Sequence, residues 1–251
     1  MNHVAAAHTQ HRSLKDRRVL VTGGTTGIGR AIAILLAAEG AHVFVAGHDP
    51  DHLDDALAQI RNVGRGDGMT IDLADPDNVG RLFDAGEKAL GGLDVAVINA
   101  AVPAQGLTDM DEAALRNAIA VNFTAYLLSA KHASQRIAKG DIVLTGSMSA
   151  HVLGPSSTVY AGIKAGIAGF AEALRRELGP KGIKVSLVEP GKTSADFQYP
   201  DLSDDEQQEM IAQETMLRAE DIAVGVHYLL TQPMRAIVQQ LTITPRMQEG
   251  E

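Results

Sequence analysis

The chain has 251 residues, 45% hydrophobic and 21% charged, with a formal net charge of −9. That length and apolar content suit one large α/β domain and exclude global disorder; the acidic balance excludes the basic face of a nucleic-acid binder and argues against adhesion to anionic membranes. Cysteine is absent, which excludes disulfides, thiolate metal sites and thiol nucleophiles, and fits a cytoplasmic protein.

Residues 1–15 are polar and aperiodic and are expected to form a mobile tail. From there strands and helices alternate. The first strand is expected at Arg18–Thr22 and the first helix over 28–39. A strand at His42–Ala46 is followed by a helix over 51–62, and a strand at Met69–Leu73 by a helix over 76–90. A strand at Asp94–Ala100 precedes a long helix over 111–138. The strand at Asp141–Thr145 precedes a helix over 158–178, and Lys184–Glu189 precedes a helix over 219–231. Gln240–Ile243 is the last strand. Most of these strands are almost wholly apolar, as expected for a sheet covered on both faces. Strand–helix alternation predicts a parallel sheet of about seven strands with right-handed crossovers, in a single domain over 16–251. No apolar run reaches transmembrane length. One stretch, 192–215 (KTSADFQYPDLSDDEQQEMIAQET), breaks the rhythm. It reads either as a solvated loop with a short helix or as a lid over a site.

Directly after the first strand comes TGGTTGIG, Thr22 to Gly29, and then a helix. Glycine permits a tight strand-to-helix turn and a close approach of phosphate to backbone N–H groups. The helix N-terminus adds partial positive charge. In the first strand–helix unit this is the context of dinucleotide binding. Further on, Tyr160 and Lys164 lie in YAGIK, one helical turn apart and on one face. Such a pair alone is weak evidence. Yet an ammonium close to a phenol of ordinary pKa ~10 stabilises the phenolate and tunes it for proton transfer.

The glycine spacing at Gly23, Gly27 and Gly29 resembles the cofactor motif of the short-chain dehydrogenase/reductase family, and YAGIK resembles its Y-x-x-x-K. The resemblance runs from about Arg17 to the C-terminus. It implies a single Rossmann-type, doubly wound parallel sheet flanked by helices. It also implies an oxidoreductase moving hydride between a nicotinamide cofactor and a small carbonyl or alcohol, with Tyr160 as general acid or base. By the same resemblance Ser147 would hold the substrate oxygen, and Lys164 would also hold the nicotinamide ribose. Asn122, in IAVNFTA, would hold a relay water; an Asn inside a helix is locally unfavourable, which adds weight to a functional reading. Cofactor contacts would come from Gly23, Thr25, Thr26, Gly27, Ile28 and Gly29 in the turn, and from His48, Asp72, Leu73, Asn99, Ala100, Pro190, Gly191 and Thr193. Homo-oligomers, tetramer or dimer, are implied through helices 111–138 and 158–178.

The sequence departs from the family pattern in two places. Ala101 stands where N-A-G has its glycine, and Ala195 where V-x-T has its threonine. In VAGHDP, Gly47 stands where NAD-preferring relatives carry an acid, and His48 where NADP-preferring relatives often carry arginine. NADP(H) is therefore preferred over NAD(H), which stays open. The C-terminal stretch resembles the branch with NADP-dependent 3-hydroxy acid and serine dehydrogenases. The nine histidines show no metal spacing, and no metal is expected. His151 is read as either lining the pocket or lying on the surface. Two alternatives remain: a catalytically silent cofactor sensor, and net dehydration or epimerisation in the same site.

Overall fold

The computed structural model describes residues 11–194 and 202–247. In chain order the elements are β1 (Arg18–Thr22), α1 (Gly27–Ala38), β2 (His42–Gly47), α2 (Pro50–Val63), β3 (Arg65–Thr70), α3 (Pro76–Leu90), β4 (Val95–Ile98), α4 (Glu112–Ile119), α5 (Ala125–Arg136), β5 (Gly140–Thr145), α6 (Thr158–Leu178), β6 (Ile183–Pro190), α7 (Asp204–Ala212), α8 (Ala219–Thr231) and β7 (Gln240–Ile243). All seven strands are parallel, in the order β3-β2-β1-β4-β5-β6-β7. The order turns around between β1 and β4, and ligands of such sheets bind at the carboxyl ends of the strands at that point.

The apolar strands bury both faces. Leu20, Phe44, Ile98, Ile142 and Leu144 meet α3, α5 and α6 on one side. Val19, Val21, Val43, Val95, Val97 and Val143 meet α1, α2 and α8 on the other. This is the doubly wound sheet expected from the continuous β-branched runs.

Three expectations need correction. The third strand is Arg65–Thr70, not Met69–Leu73. Its sequence, RGDGMT, carries two glycines and little β-propensity. The glycines are required because α2 lies hard against this strand: a Cβ at Gly68 would sit 2.7 Å from the Val45 carbonyl oxygen and 2.8 Å from Leu53 Cδ1. Ile71 and Leu73, which suggested a strand, enter the core just after it ends. Next, the helix over 111–138 is interrupted. Ala120–Thr124 forms a π-helical turn between α4 and α5. Finally, the tail expectation reached residue 15, yet Leu14 is only 3% exposed. Arg12 donates its backbone N–H to Thr231 O at 2.8 Å and pairs with Asp141 at 3.0 Å. Residues 1–10 lie outside the described residues.

Within the 192–215 insertion, α7 starts at a capping box formed by Ser203 and Glu206. The insertion's base is closed by a parallel bridge between Thr193 and Leu217, with Leu217 N–H on Lys192 O and Ser194 N–H on Leu217 O, each at 2.8 Å. Ala195, and the stretch to Asp201, lie outside the described residues.

Candidate active site

The end of β1 is clipped to β4 through one hydroxyl. Thr22 Oγ1 accepts from Asn99 N at 2.9 Å and from Ala100 N at 3.1 Å. Asn99 then donates Nδ2–H to Gly23 O at 3.1 Å and accepts from Thr145 Oγ1 at 3.2 Å. Asn99 therefore ties together the carboxyl ends of three strands. The turn that follows needs glycine. Gly23 has φ +61°, and a Cβ on it would lie 2.7 Å from Ala100 Cα; Gly27 has φ +48°. A Cβ on Gly29 would collide with the Gly23 carbonyl oxygen. Thr26, the residue before α1, makes no side-chain cap bond to the first-turn amides. A glycine-walled cradle facing uncapped amides of a helix N-terminus suits an anionic diphosphate.

On the other side of the crevice stand β5 and α6. Ser147 follows β5; its hydroxyl accepts from Ser149 N at 3.1 Å and bonds Ser149 Oγ at 3.2 Å. Lys164 is 1% exposed. Its Nζ donates to the main-chain oxygen of Thr145 at 2.9 Å and to Tyr126 Oη at 3.4 Å. It lies 5.5 Å from the centre of the Tyr160 ring and 5.0 Å from that of Tyr126. These hydrogen-bond partners are neutral, so burial dominates and pulls the Lys164 ammonium down to about 7. Burial pushes the Tyr126 phenol well above its ordinary value, and the neighbouring Tyr160 pushes it the same way.

The two sides enclose a cavity of about 780 Å³, within the size range of cofactor sites. Gly23, Thr25, Thr26, Gly27, Ile28, His48, Asp72, Leu73, Asn99, Ala100, Ser147, Tyr160, Lys164, Pro190 and Gly191 all line it.

Comparison with known proteins agrees with this geometry. A family profile described as short chain dehydrogenase matches residues 17–206. The chain belongs to the short-chain dehydrogenase family. It is thus an oxidoreductase of that family acting at a CH–OH or C=O group. An uncharacterized oxidoreductase of Staphylococcus aureus is 31% identical over 240 residues, covering 92% of this chain and 98% of its own. Glucose and ribitol dehydrogenase of Daucus carota is 32% identical over 200 residues, covering 75% of this chain and 69% of its own. Among solved structures, a short chain dehydrogenase from Burkholderia cenocepacia in complex with NADP superposes with a TM-score of 0.84. It is 33% identical, and 93% of this chain and 98% of that one are covered.

Three residues singled out in this short-chain dehydrogenase do not line the cavity. Gly29 packs beneath the turn. Thr193 is fully buried, with its hydroxyl on Gly191 O at 2.9 Å. Asn122 is fully buried in the π turn, and both ends of its amide are taken by Val102: Oδ1 accepts from Val102 N, and Nδ2 donates to Val102 O, each at 2.8 Å. That pairing accounts for an Asn inside a helix, since it satisfies the Val102 backbone next to the cavity. His151 is on the surface side, bound to the buried Glu189 carboxylate at 2.9 Å. Tyr126 and His52 escaped the sequence reading. Tyr126 lies four residues after Asn122, a spacing that places both on one face. Ala101, where the family has glycine, lines the cavity without closing it. Among the described residues no group of three or more His, Asp or Glu could hold a metal, and no helix is long and apolar enough to cross a membrane.

Proposed function

We propose that the protein transfers hydride between NADP(H) and a small carbonyl or alcohol substrate, with Tyr160 as the general acid or base. One observation carries this reading: Ser147, Tyr160 and the buried Lys164 line the same cavity as the glycine cradle and Pro190–Gly191. The diphosphate would be held by Gly23 and Thr25 to Ile28, the adenine by Asp72 and Leu73, the near ribose by Tyr160 and Lys164, and the nicotinamide by Pro190 and Gly191. Once bound, the dinucleotide supplies the hydride or takes it up. NADP(H) rather than NAD(H) is favoured by Gly47, which brings no carboxylate to the ribose, by the imidazole of His48 in the cavity wall, and by the NADP complex of the Burkholderia relative.

The chain's own residues manage the proton and the charge. In reduction Tyr160 gives its phenolic proton to the carbonyl oxygen. Ser147 Oγ turns from Ser149 to donate to that same oxygen, which steadies the developing alkoxide. In oxidation Tyr160 removes the alcohol proton. The Lys164 ammonium, 5.5 Å from the Tyr160 ring centre, lowers the cost of the phenolate. A relay water at Asn122 would rest on a main-chain carbonyl freed in the π turn, because the side-chain amide is committed to Val102. The 192–215 segment would act as a lid hinged at the Thr193–Leu217 bridge. We further propose a homo-oligomer, dimer or tetramer, in the cytoplasm. Ile119 on α4, 43% exposed, is one apolar side chain such contacts would cover.

Tyr160→Phe tests the central claim. Turnover in a screen of ketones, sugars, polyols and hydroxy acids should fall at least about 100-fold, as expected for loss of a general acid. Binding of NADP, followed by calorimetry, should persist. Unchanged turnover would refute the role of Tyr160.

A further inference from the structure

The buried phenol of Tyr126 takes no part in the proposed hydride transfer, yet it touches the amine on which that transfer depends. Tyr126 is the second residue of α5 and follows the π turn at Ala120–Thr124. The residue that a π turn adds rotates the helix after it by about 100°. The turn that commits Asn122 to Val102 thus also sets the face of α5 on which Tyr126 lies. The side chain is 1% exposed. Three polar groups close a triangle around it. Lys164 Nζ donates to Thr145 O at 2.9 Å and to Tyr126 Oη at 3.4 Å, and Tyr126 Oη donates to Thr145 O at 3.2 Å. A carbonyl oxygen only accepts, so the phenolic proton is committed to it and a phenolic lone pair is left for the ammonium. The Tyr126 ring centre lies 5.0 Å from Nζ, within cation–π reach. Packing does not call for this hydroxyl: phenylalanine would fill the same space, and the Thr145 carbonyl already receives Lys164. Burying a hydroxyl costs free energy unless it is bonded. Its distinct partner here is the ammonium.

We propose that Tyr126 is a positioning residue for the dehydrogenase reaction: its hydroxyl and the Thr145 carbonyl together fix two of the three N–H bonds of Lys164 and leave the third for the cavity that Lys164 shares with Tyr160. This rests on the dehydrogenase reading and deepens it. A lysine ammonium is a compact charge on a flexible stem, and its pull on a phenol falls with distance. Nζ lies 5.5 Å from the Tyr160 ring centre, and both residues line the cavity. Two acceptors on the protein side hold the charge at that distance. The same contact favours the charged amine over the neutral one. In a coupled pair the proton can rest on either partner. Without the Tyr126 hydroxyl the balance moves toward a neutral amine beside a protonated phenol, so Tyr160 becomes a phenolate only at higher pH. The titratable groups that act on the Tyr126 phenol are Lys164, through the hydrogen bond, and Tyr160, both on α6. Tyr126 itself keeps its proton throughout, because burial holds its phenol well above the ordinary value.

Tyrosinate absorbance in the near ultraviolet tests this on the full-length protein, whose four tyrosines have no tryptophan to mask them. Subtracting the titration of the matching Tyr160→Phe variant isolates Tyr160. In Tyr126→Phe, which keeps the ring and removes the hydroxyl, the Tyr160 midpoint should rise by about one pH unit, the low end for a hydrogen bond to a charged group. Tyr126→Leu, a second side chain without the hydroxyl, should move it the same way. In Tyr126→Phe, kcat for alcohol oxidation at neutral pH should fall about tenfold with KM unchanged within about twofold. In a Lys164→Met background, Tyr126→Phe should leave the midpoint where it was, because the hydroxyl acts through the amine. An unmoved midpoint in Tyr126→Phe with normal turnover would overturn the inference and leave the dehydrogenase reading intact. An equal rise in the Lys164→Met background would also overturn it, since repacking alone would then be the cause. No turnover by the native chain across the substrate screen would refute the dehydrogenase reading, and with it any catalytic use of the triangle.

Discussion

Replacing Lys164 by methionine should abolish turnover and yet stabilise the fold below pH 9. The amine is 1% exposed, and burial brings it from the ordinary 10.5 down to about 7. Between those values the unfolded chain binds a proton that the folded chain has released, so stability rises with pH across the window. Below pH 7 the full penalty is present, roughly 5 kcal/mol at 1.36 kcal/mol per pH unit. Near pH 10.5 it vanishes. Methionine fills a similar volume without a charge. The difference in unfolding free energy between the native chain and Lys164→Met removes every other titrating group common to both. That difference should shift in favour of the native chain by roughly 2 kcal/mol between pH 7 and 9. Urea unfolding of both proteins at half-unit steps measures it. A difference that stays flat over this interval would refute the assignment of a depressed, buried ammonium at Lys164.

The remaining predictions concern parts of the fold that hold the site. Asp141→Asn should cost about 3–5 kcal/mol in urea unfolding, because Arg12, Arg17 and Lys184 would lose the buried carboxylate they share at 3.0, 2.7 and 3.4 Å. Asn122→Ala should cost about 2 kcal/mol or more by the same measurement, since it strands the buried N–H and C=O of Val102, and it should lower kcat as well. Gly23→Ala should weaken calorimetric binding of NADP and lower Tm, because a side chain at φ +61° costs about 1 kcal/mol before it meets Ala100. Unchanged binding would mean that the turn does not face the dinucleotide.

The parts that were legible in the sequence are those whose physics is local. TGGTTGIG fixes its own turn, because each glycine answers a constraint from neighbours close in sequence or one strand away. The spacing in YAGIK places Tyr160 and Lys164 on one face without outside help. Other features depend on what packs against them. Gly66 and Gly68 look unlike a strand until α2 presses on β3. The π turn at Ala120–Thr124 has no propensity signature; it exists because Asn122 pairs with Val102 twenty residues earlier. Arg12 reads as part of a polar tail, and only a carboxylate 129 residues away makes it part of the body. His52 was missed for a similar reason. Helix periodicity gives α2 an outer face, but only the path of β2 shows that the first turn of that face borders the crevice.

Buried charge at the two ends of β5 sets a structural cluster apart from the candidate site. At the start of the strand Asp141 sits among three cations, and the arrangement is balanced toward holding the N-terminal segment, β1 and β6 together. At the other end the Thr145 carbonyl receives the Lys164 ammonium, which also donates to the neutral Tyr126 hydroxyl. About four strand residues, or roughly 13 Å, separate the two. A carboxylate beside Lys164 would offset part of its burial, as Asp141 does for Lys184, whose ammonium burial still pulls below its ordinary value. On the proposed mechanism it would also neutralise the field that lets Tyr160 become a phenolate. Leaving the ammonium without a carboxylate among its hydrogen-bond partners lowers stability at neutral pH, and on the proposed mechanism its remaining positive charge acts on the phenol. Introducing an acid next to Lys164 should therefore raise Tm while lowering kcat, a trade that follows from where the positive charge is spent.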